Sequence, residues 1–436
     1  MTAVLEKPNA VAEAVSLRDR LVDRVFGTAD GVLTIGDVKV TDLAREYGTP
    51  FYAYDAAVMR HNYKALSDAV AGFAEVYYSI KANPAPEVAA IFHDLGAGLE
   101  IASLNEFDRA RTAGCAPERI IFAGPGKGQH ELAATVEAGV GEIHLESFEE
   151  AEHVARLGER FGRKVAVAVR VNPVAGAQGG AMRMGGKPTA FGFDEEDLAE
   201  VVARIEAFDA LDLQGVHLFA GTQILKASVL VSQWRHGLDV ARTVADLTGR
   251  PMKSIDLGGG LGVPYHEGDG EIDLAELKAS VRDLIAEKAA DPRVADAHVV
   301  LEPGRFLTAN AGAYVLGVRA VKHSRGQRFI VTDGGMHHHL AASGNLGQVI
   351  KRDYPLVAAD KMDAPDRLQA NVVGPLCTPL DTLGRQTELP EVAQGNLIAV
   401  LQSGAYGLSA SPVNFLSHPL AAEVMVDGGA HRRIGG

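Results

Sequence analysis

From residue 46 to about residue 305, short apolar runs rich in β-branched and aromatic side chains alternate with longer stretches whose apolar positions recur at helical spacing. That alternation predicts a parallel sheet joined by crossover helices. The runs are Val76 to Ile80, Leu99 to Ile101, Arg119 to Ala123, Glu142 to Glu146, Val165 to Val171, Leu213 to Phe219, Lys253 to Gly258 and Ala297 to Glu302. Eight strands close a (β/α)8 TIM-like barrel, and the span is near the ~250 residues usual for that fold. Ser103 with Glu106, and Ser147 with Glu150, form S-x-x-E patterns just after two of these runs. There a capping box would start the next helix.

Beyond Pro303 the pattern changes to β-prone runs, Ala313 to Val321, Arg328 to Thr332 and Asn396 to Leu401, separated by glycine-rich turns. The expected division is an N-terminal segment over residues 1–45, a barrel over 46–309 and a β-rich barrel or sandwich domain over 310–436. Gly31 to Val40 reads as strand, turn and strand, and is expected to pair into the distal sheet.

Composition narrows the class. Hydrophobic residues make up 47% and charged residues 22% of 436, and no apolar run reaches the roughly 18 residues of a membrane span. Met1 to Arg24 mixes Glu6, Lys7, Glu13, Arg18 and Asp19 with short apolar pieces, so it lacks the continuous core of a secretory signal. Two cysteines, Cys115 and Cys377, make no disulfide framework, and a cytoplasmic location is expected. A net charge of −14 argues against nucleic acid as a partner.

Barrel enzymes place their chemistry at the C-terminal ends of the strands. Here those ends carry Lys81, Ser103, Gly124 to Lys127, Glu146-Ser147, Arg170 with Asn172, His217 to Thr222, Gly258 to Gly260 and Glu302 to Arg305. Lys81 ends an aromatic run, Tyr77-Tyr78-Ser79-Ile80. An amine in such surroundings loses hydration, so its pKa is expected to fall and it can attack an aldehyde. Gly258, Gly259 and Gly260 after the seventh strand, with Gly304 and Arg305 after the eighth, lie where this fold recurrently binds phosphate. Glu302 is an acid that would be costly to bury alone; opposite a pyridine nitrogen it would keep the ring protonated. An amine, a phosphate cup and that acid together describe a site for pyridoxal 5'-phosphate.

Five segments, Tyr78-Ser79-Ile80-Lys81-Ala82-Asn83, Asp256 to Gly260, Glu302 to Arg305, Gly374-Pro375-Leu376-Cys377 and Gly404-Ala405-Tyr406-Gly407, occur in that order. With them the chain, from about Thr49 to the Glu423 region, resembles the fold-type III pyridoxal-phosphate decarboxylases. That group includes diaminopimelate, ornithine and arginine decarboxylases and shares its barrel with alanine racemase. The resemblance implies that Lys81 holds the cofactor, that Gly258 to Gly260, Gly304 and Arg305 bind its phosphate with Tyr406, and that Glu302 meets the ring nitrogen. It also implies a head-to-tail homodimer in which Cys377 enters the partner's site as a proton donor. Cys115, beside Gly114 at a helix end, reads as a small buried side chain.

Three departures bear on the substrate. Relatives set a histidine against the cofactor face in an H-x-G-S segment. Here His217-Leu218-Phe219-Ala220-Gly221-Thr222 puts Phe219 at that position, with His217 two residues earlier on the same strand face and Thr222 in place of serine. The acid that usually follows the cysteine and reads a distal amine is replaced by Thr378. The segment Asp333 to Asn345 lacks the usual R-P motif. These features resemble a biosynthetic subfamily, exosortase-associated and butirosin-pathway-like, that includes enzymes for carrier-tethered aminoacyl groups.

The expected substrate is therefore a free or carrier-bound amino acid, with Asp333, His337, Thr378 and Asp381 as candidate contacts. Diaminopimelate decarboxylation is the runner-up, followed by racemisation and a non-catalytic cofactor-binding homologue. His337-His338-His339 is read as a site-lining loop and no metal is expected, because adjacent residues point in different directions. Lys322 to Arg328 is read as a solvated basic turn that would suit an acidic carrier.

Overall fold

The computed structural model describes residues 15–174, 182–183, 188–219, 221–346, 348, 351–365 and 368–435. Residues 1–14, on which the reading of the N-terminus partly rests, and Ala220 lie outside them. Among the described residues no helix is long and apolar enough to cross a membrane.

Eight parallel strands, Glu75–Ser79, Gly98–Ile101, Ile120–Phe122, Glu142–Leu145, Val165–Asn172, Leu211–Leu218, Ser254–Asp256 and His298–Leu301, pair in chain order. The last pairs with the first, so the barrel is closed. The caps hold with one modification. Ser103 and Ser147 accept from the N–H groups of Glu106 and Glu150, but each glutamate reaches past the cap to the preceding N–H, on Ala102 and Glu146. Both ends of the exchange fix where the loop leaves the strand. The sixth strand bulges between Leu213 and Gly215. A Cβ on Gly215 would lie 1.8 Å from the Ser254 carbonyl oxygen, so only glycine permits that approach.

The second domain is built on Gly312–Ser324, thirteen residues long. Its first half pairs with Phe51–Asp55 and Leu397–Val400, and its second half with Gln327–Thr332. Two sequence expectations change here. Phe51–Asp55 was placed at the start of the barrel, but it is a strand of this second sheet, parallel to Ala422–Asp427. All five of its residues are buried: Tyr52 and Tyr54 face the core shared with the barrel, while Phe51 and Ala53 face a separate one. A strand covered on both faces shows no alternation by which to place it.

Val32–Ile35 and Val38–Lys39 make no ladder with the distal sheet, and Val32–Ile35 is tied to its edge by the Leu33 N–H, which donates to the Ala359 carbonyl at 2.7 Å. With Thr28–Ala29 they form a small sheet of their own that lays Leu33 and Ile35 face-on against Phe51, Ala53, Ala313 and Val315. The basic stretch Lys322 to Arg328 spans a tight hairpin turn, with Arg325 and Gly326 at positive φ.

His337, His338 and His339 are corrected from a site-lining loop to core: all three are buried. They have separate partners. Nδ1 of His338 lies 3.1 Å from the Tyr314 hydroxyl, Nε2 of His339 lies 3.0 Å from the Ser403 hydroxyl, and His337 stacks on His338 and His418.

Burial drives their pKa values down to about 3, about 4 and about 3. Each is neutral in the fold and would titrate near ~6.5 unfolded. Their contribution is thus complete above that pH and is lost as pH falls toward the folded values, because the unfolded chain takes up protons the fold refuses. The urea midpoint is expected to drop between pH 7.5 and pH 5 (~2.5 units); replacing His339 with glutamine should flatten the drop, and an unchanged profile would contradict it.

Candidate active site

The first barrel strand ends at Ser79, and a single tight turn, Ile80–Ala82, follows. The Tyr78 hydroxyl donates to the Asn83 carbonyl and accepts from the Asn83 N–H, at 2.9 and 3.1 Å, which braces the turn. Ile80 and Ala82 are buried beneath it, so Lys81 is directed over the barrel mouth with its side chain half exposed.

Its amine meets a group that the sequence reading missed. Both oxygens of Glu100, from the second strand, lie 3.1 Å from Lys81 Nζ, and Glu100 also accepts from the Ser79 hydroxyl at 2.5 Å. The expected fall in the lysine pKa is therefore reversed. Burial does push it down, but the charges of Glu100 and Glu302 outweigh that and hold it above the usual lysine value.

At the ends of strands seven and eight the backbone turns sharply. Gly258 and Gly260 have φ of +66° and +93°, and a Cβ on Gly259 would lie 2.4 Å from the Glu302 carbonyl oxygen. Among the described residues, the N–H groups of Gly259, Gly260, Gly304 and Arg305 meet no acceptor. They are available to an anion. Arg305 donates to the Tyr265 hydroxyl at 3.0 Å and stacks on Tyr406, 4.6 Å from the ring centroid, while its Nε has no partner. Tyr406 comes from the second domain. Its N–H donates to the Ala82 carbonyl at 2.7 Å, beside the contact of Asn83 with Gly404, so the Gly404-to-Gly407 loop is clamped against the lysine turn.

His217 and Phe219 do not share a face. The sixth strand stops at Leu218, so Phe219 leaves the two-residue alternation and sits half-buried against Gly258. His217 points into the interior, with Nε2 3.5 Å from Glu302 and its ring 4.4 Å from that of His144. Its pKa is driven down to about 3, chiefly by burial. Thr222 is half-buried at the rim, and the neighbouring Gly221 carbonyl packs on Gly260. Lys127 turns inward to Glu150 at 2.6 Å. Arg170 pairs with Glu146 at 2.6 Å.

The expected substrate contacts divide. Asp381 is buried, and its two oxygens accept from the N–H groups of Met336 and Leu376 at 2.6 and 2.9 Å. Asp333 accepts from the Thr49 hydroxyl and the Gly317 N–H at 2.5 and 2.9 Å. Both brace their own domain through these bonds. His337 is buried among imidazoles. Thr378 is half-buried beside Cys377, an exposed free thiol. Cys115 is buried, its pKa pushed up to about 11 mainly by burial, as befits a packing residue.

A family model described as pyridoxal-dependent decarboxylase, pyridoxal binding domain, matches residues 56–309. The chain is 36% identical over 405 residues to an L-glutamyl-[BtrI acyl-carrier protein] decarboxylase from Niallia circulans, covering 92% of this chain and 94% of that one. It is 32% identical over 409 residues to a diaminopimelate decarboxylase from Zymomonas mobilis, covering 92% and 93%. The structure of a Helicobacter pylori diaminopimelate decarboxylase variant complexed with L-lysine superposes with a TM-score of 0.80 at 26% identity, covering 91% and 96%. A match spanning the whole barrel, on the strands that hold Lys81, the glycine loop and Glu302, places the chain in the pyridoxal-dependent decarboxylase family, as a fold-type III enzyme that uses pyridoxal 5'-phosphate.

Proposed function

We propose that this decarboxylase acts on an amino acid carried as an acyl group on a carrier protein, and that it works as a homodimer with shared sites. The residues fit the cofactor. Lys81 opens on the mouth, four loop amides await an anion, and the Glu302 carboxyl is buried just past the end of the eighth strand. Bound there, pyridoxal phosphate supplies an aldehyde for the lysine and a ring that draws electrons from the substrate's α-carbon.

Lys81 must shed a proton to act as a nucleophile, and Glu100, in contact with it, is the acceptor within reach. Gly258 to Gly260, Gly304 and Arg305 hold the phosphate while Tyr406 closes over Arg305. Glu302 would meet the ring nitrogen, and Phe219 and Thr222 line the rim beside Gly258 and Gly260. When carbon dioxide leaves, the bonding pair remains at the α-carbon and a proton must replace it. The partner subunit's Cys377 is the proposed donor.

The observation that carries the substrate reading is Thr378. A diamino acid presents a second ammonium, which calls for a carboxylate; an acyl group joined to a carrier ends in a neutral thioester, which does not. Thr378 is neutral, the nearby Asp381 has both oxygens engaged, and Leu380 beside them is exposed. The similarity to a decarboxylase named for a carrier-bound glutamyl group supports the same reading. Two unpaired cysteines fit a reducing compartment, and the cytoplasm is the proposed location.

Holoenzyme given glutamyl-loaded acyl carrier protein is expected to release carbon dioxide, with free glutamate, ornithine and diaminopimelate slower by about a hundredfold. Faster turnover of free diaminopimelate would transfer the function to the second reading, which the diaminopimelate decarboxylase relatives favour. Inversion of the α-carbon without carbon dioxide would overturn both.

A further inference from the structure

Below the mouth, one layer of the barrel interior is polar where branched apolar side chains usually fill it. Asp256 ends the seventh strand and Glu302 follows the eighth, its neighbour. Oδ1 of Asp256 accepts from the Gly258 N–H at 2.7 Å. Oδ2 of Asp256 and Oε1 of Glu302 are buried with no donor among the described residues, on neighbouring strand ends where each carboxyl opposes the ionisation of the other. Two carboxylates this close in a dry interior cannot both stay ionised. A single proton between them removes the repulsion and gives both stranded oxygens a partner.

We propose that Asp256 is held as a neutral acid that donates its proton to Glu302, a positioning residue that keeps Glu302 ionised and aimed at the cofactor's ring nitrogen. This rests on the assignment of Glu302 to that nitrogen made above. The surroundings decide which carboxyl keeps the proton. Glu302 faces His217 at 3.5 Å and, further off, the Lys81 ammonium. Asp256 faces Nε2 of His144 at 3.9 Å, but that nitrogen is nearer to Glu142, at 3.0 Å, whose charge opposes a second carboxylate. Burial and the charge of Glu302 both raise the pKa of Asp256. Burial also opposes ionisation of Glu302, yet the neighbouring His217 ring, neutral and able to offer its Nε2–H from 3.5 Å, and the more distant Lys81 ammonium favour the charged form, and its carboxyl is held below the usual range. The arrangement gives the motif's leading aspartate a task distinct from that of its glycines: with Asp256 neutral, the pair carries one negative charge, placed on the carboxyl that meets the ring.

The test is nitrogen NMR of holoenzyme reconstituted with pyridoxal phosphate labelled with 15N in the ring. The wild-type resonance is expected at the protonated position. Asp256→Asn keeps a neutral donor and should leave it there, whereas Asp256→Leu removes the donor and should move it toward the unprotonated position, with cofactor retention weakened about tenfold. Glu302→Gln should move it as well. If Glu302→Gln shifts the resonance and Asp256→Leu does not, the aspartate's role fails. If neither shifts it, the assignment of Glu302 fails instead. A shift in Asp256→Asn as large as in Asp256→Leu would show that Asp256 acts as a charge, which also overturns the proposal.

Should Asp256→Leu not fold, infrared difference spectra of wild type minus the isosteric Asp256→Asn decide the matter. A protonated carboxylic acid stretch supports the proposal and its absence overturns it. One ligand atom each from His144, His217 and Glu302 lie within 4.8 Å of one another, so a stoichiometric divalent cation found in the holoenzyme by elemental analysis would also overturn it.

Discussion

Lys81→Ala is expected to lower carbon dioxide release by about a thousandfold, within the range for a lost acid–base group, and to leave the protein unable to retain the cofactor through gel filtration. The lysine is half exposed and its turn is held by Tyr78, Asn83 and the Tyr406 N–H rather than by its own side chain. Removing the amine should therefore not unfold the mouth, and the circular dichroism and thermal midpoint should stay near wild type. The loss is then chemical. A second consequence concerns Glu100. In the wild type its charge is balanced by the ammonium 3.1 Å away; in the variant it is left buried with only the Ser79 hydroxyl, so added methylamine should restore part of the rate by refilling the position. Retention of the cofactor and of at least a tenth of the rate by Lys81→Ala (about tenfold loss at most) would contradict the assignment of the nucleophile.

The barrel was legible because eight runs and the stretches between them repeat one pattern, and its strand ends could be searched without knowing the function. The glycine loops proposed to hold the phosphate stood out for the same reason, since placement after strands seven and eight gives three glycines a meaning they lack alone. Glu100 was not found, although a signal existed. A single acid inside Gly98–Ile101, flanked by Leu99 and Ile101, must face inward or be costly, and the strand's neighbour carries Lys81. His144 within Glu142–Leu145 is a similar case.

The partners of Asp333 and Asp381 were not legible, because carboxylates in glycine-rich loops look free in sequence. What the glycines admit is the carboxylate itself: a Cβ on Gly335 or Gly374 would lie 2.1 or 2.2 Å from an Asp381 oxygen. The second domain's pairing was least legible, since Phe51–Asp55 meets strands more than 250 residues away in the chain and no local pattern encodes that distance.

Mixing two inactive variants is expected to restore activity. Cys377→Ala alone should lose at least about a hundredfold as a missing proton donor, and Lys81→Ala is dead for the reason above. The loop that carries Cys377 is tied to Met336, Asp381 and Asn345, all in the second domain, and it presents both the thiol and Leu380 to the outside. Lys81, by contrast, sits at the mouth of the barrel on the turn that the Tyr406 N–H clamps. If each site takes its lysine from one protomer and its cysteine from the other, a mixed dimer contains one site with both groups intact and one with neither. Random pairing makes half of the dimers mixed, and half of their sites work, so co-refolded variants should recover about a quarter of wild-type turnover under an isologous two-fold arrangement. The recovered sites should show wild-type KM, because they are complete rather than repaired. Sedimentation of the mixture must show dimers, and dilution that dissociates them should abolish the recovery. If the mixture stays as inactive as its parts while dimers form and exchange, Cys377 serves its own subunit or none, and the proton must come from Lys81.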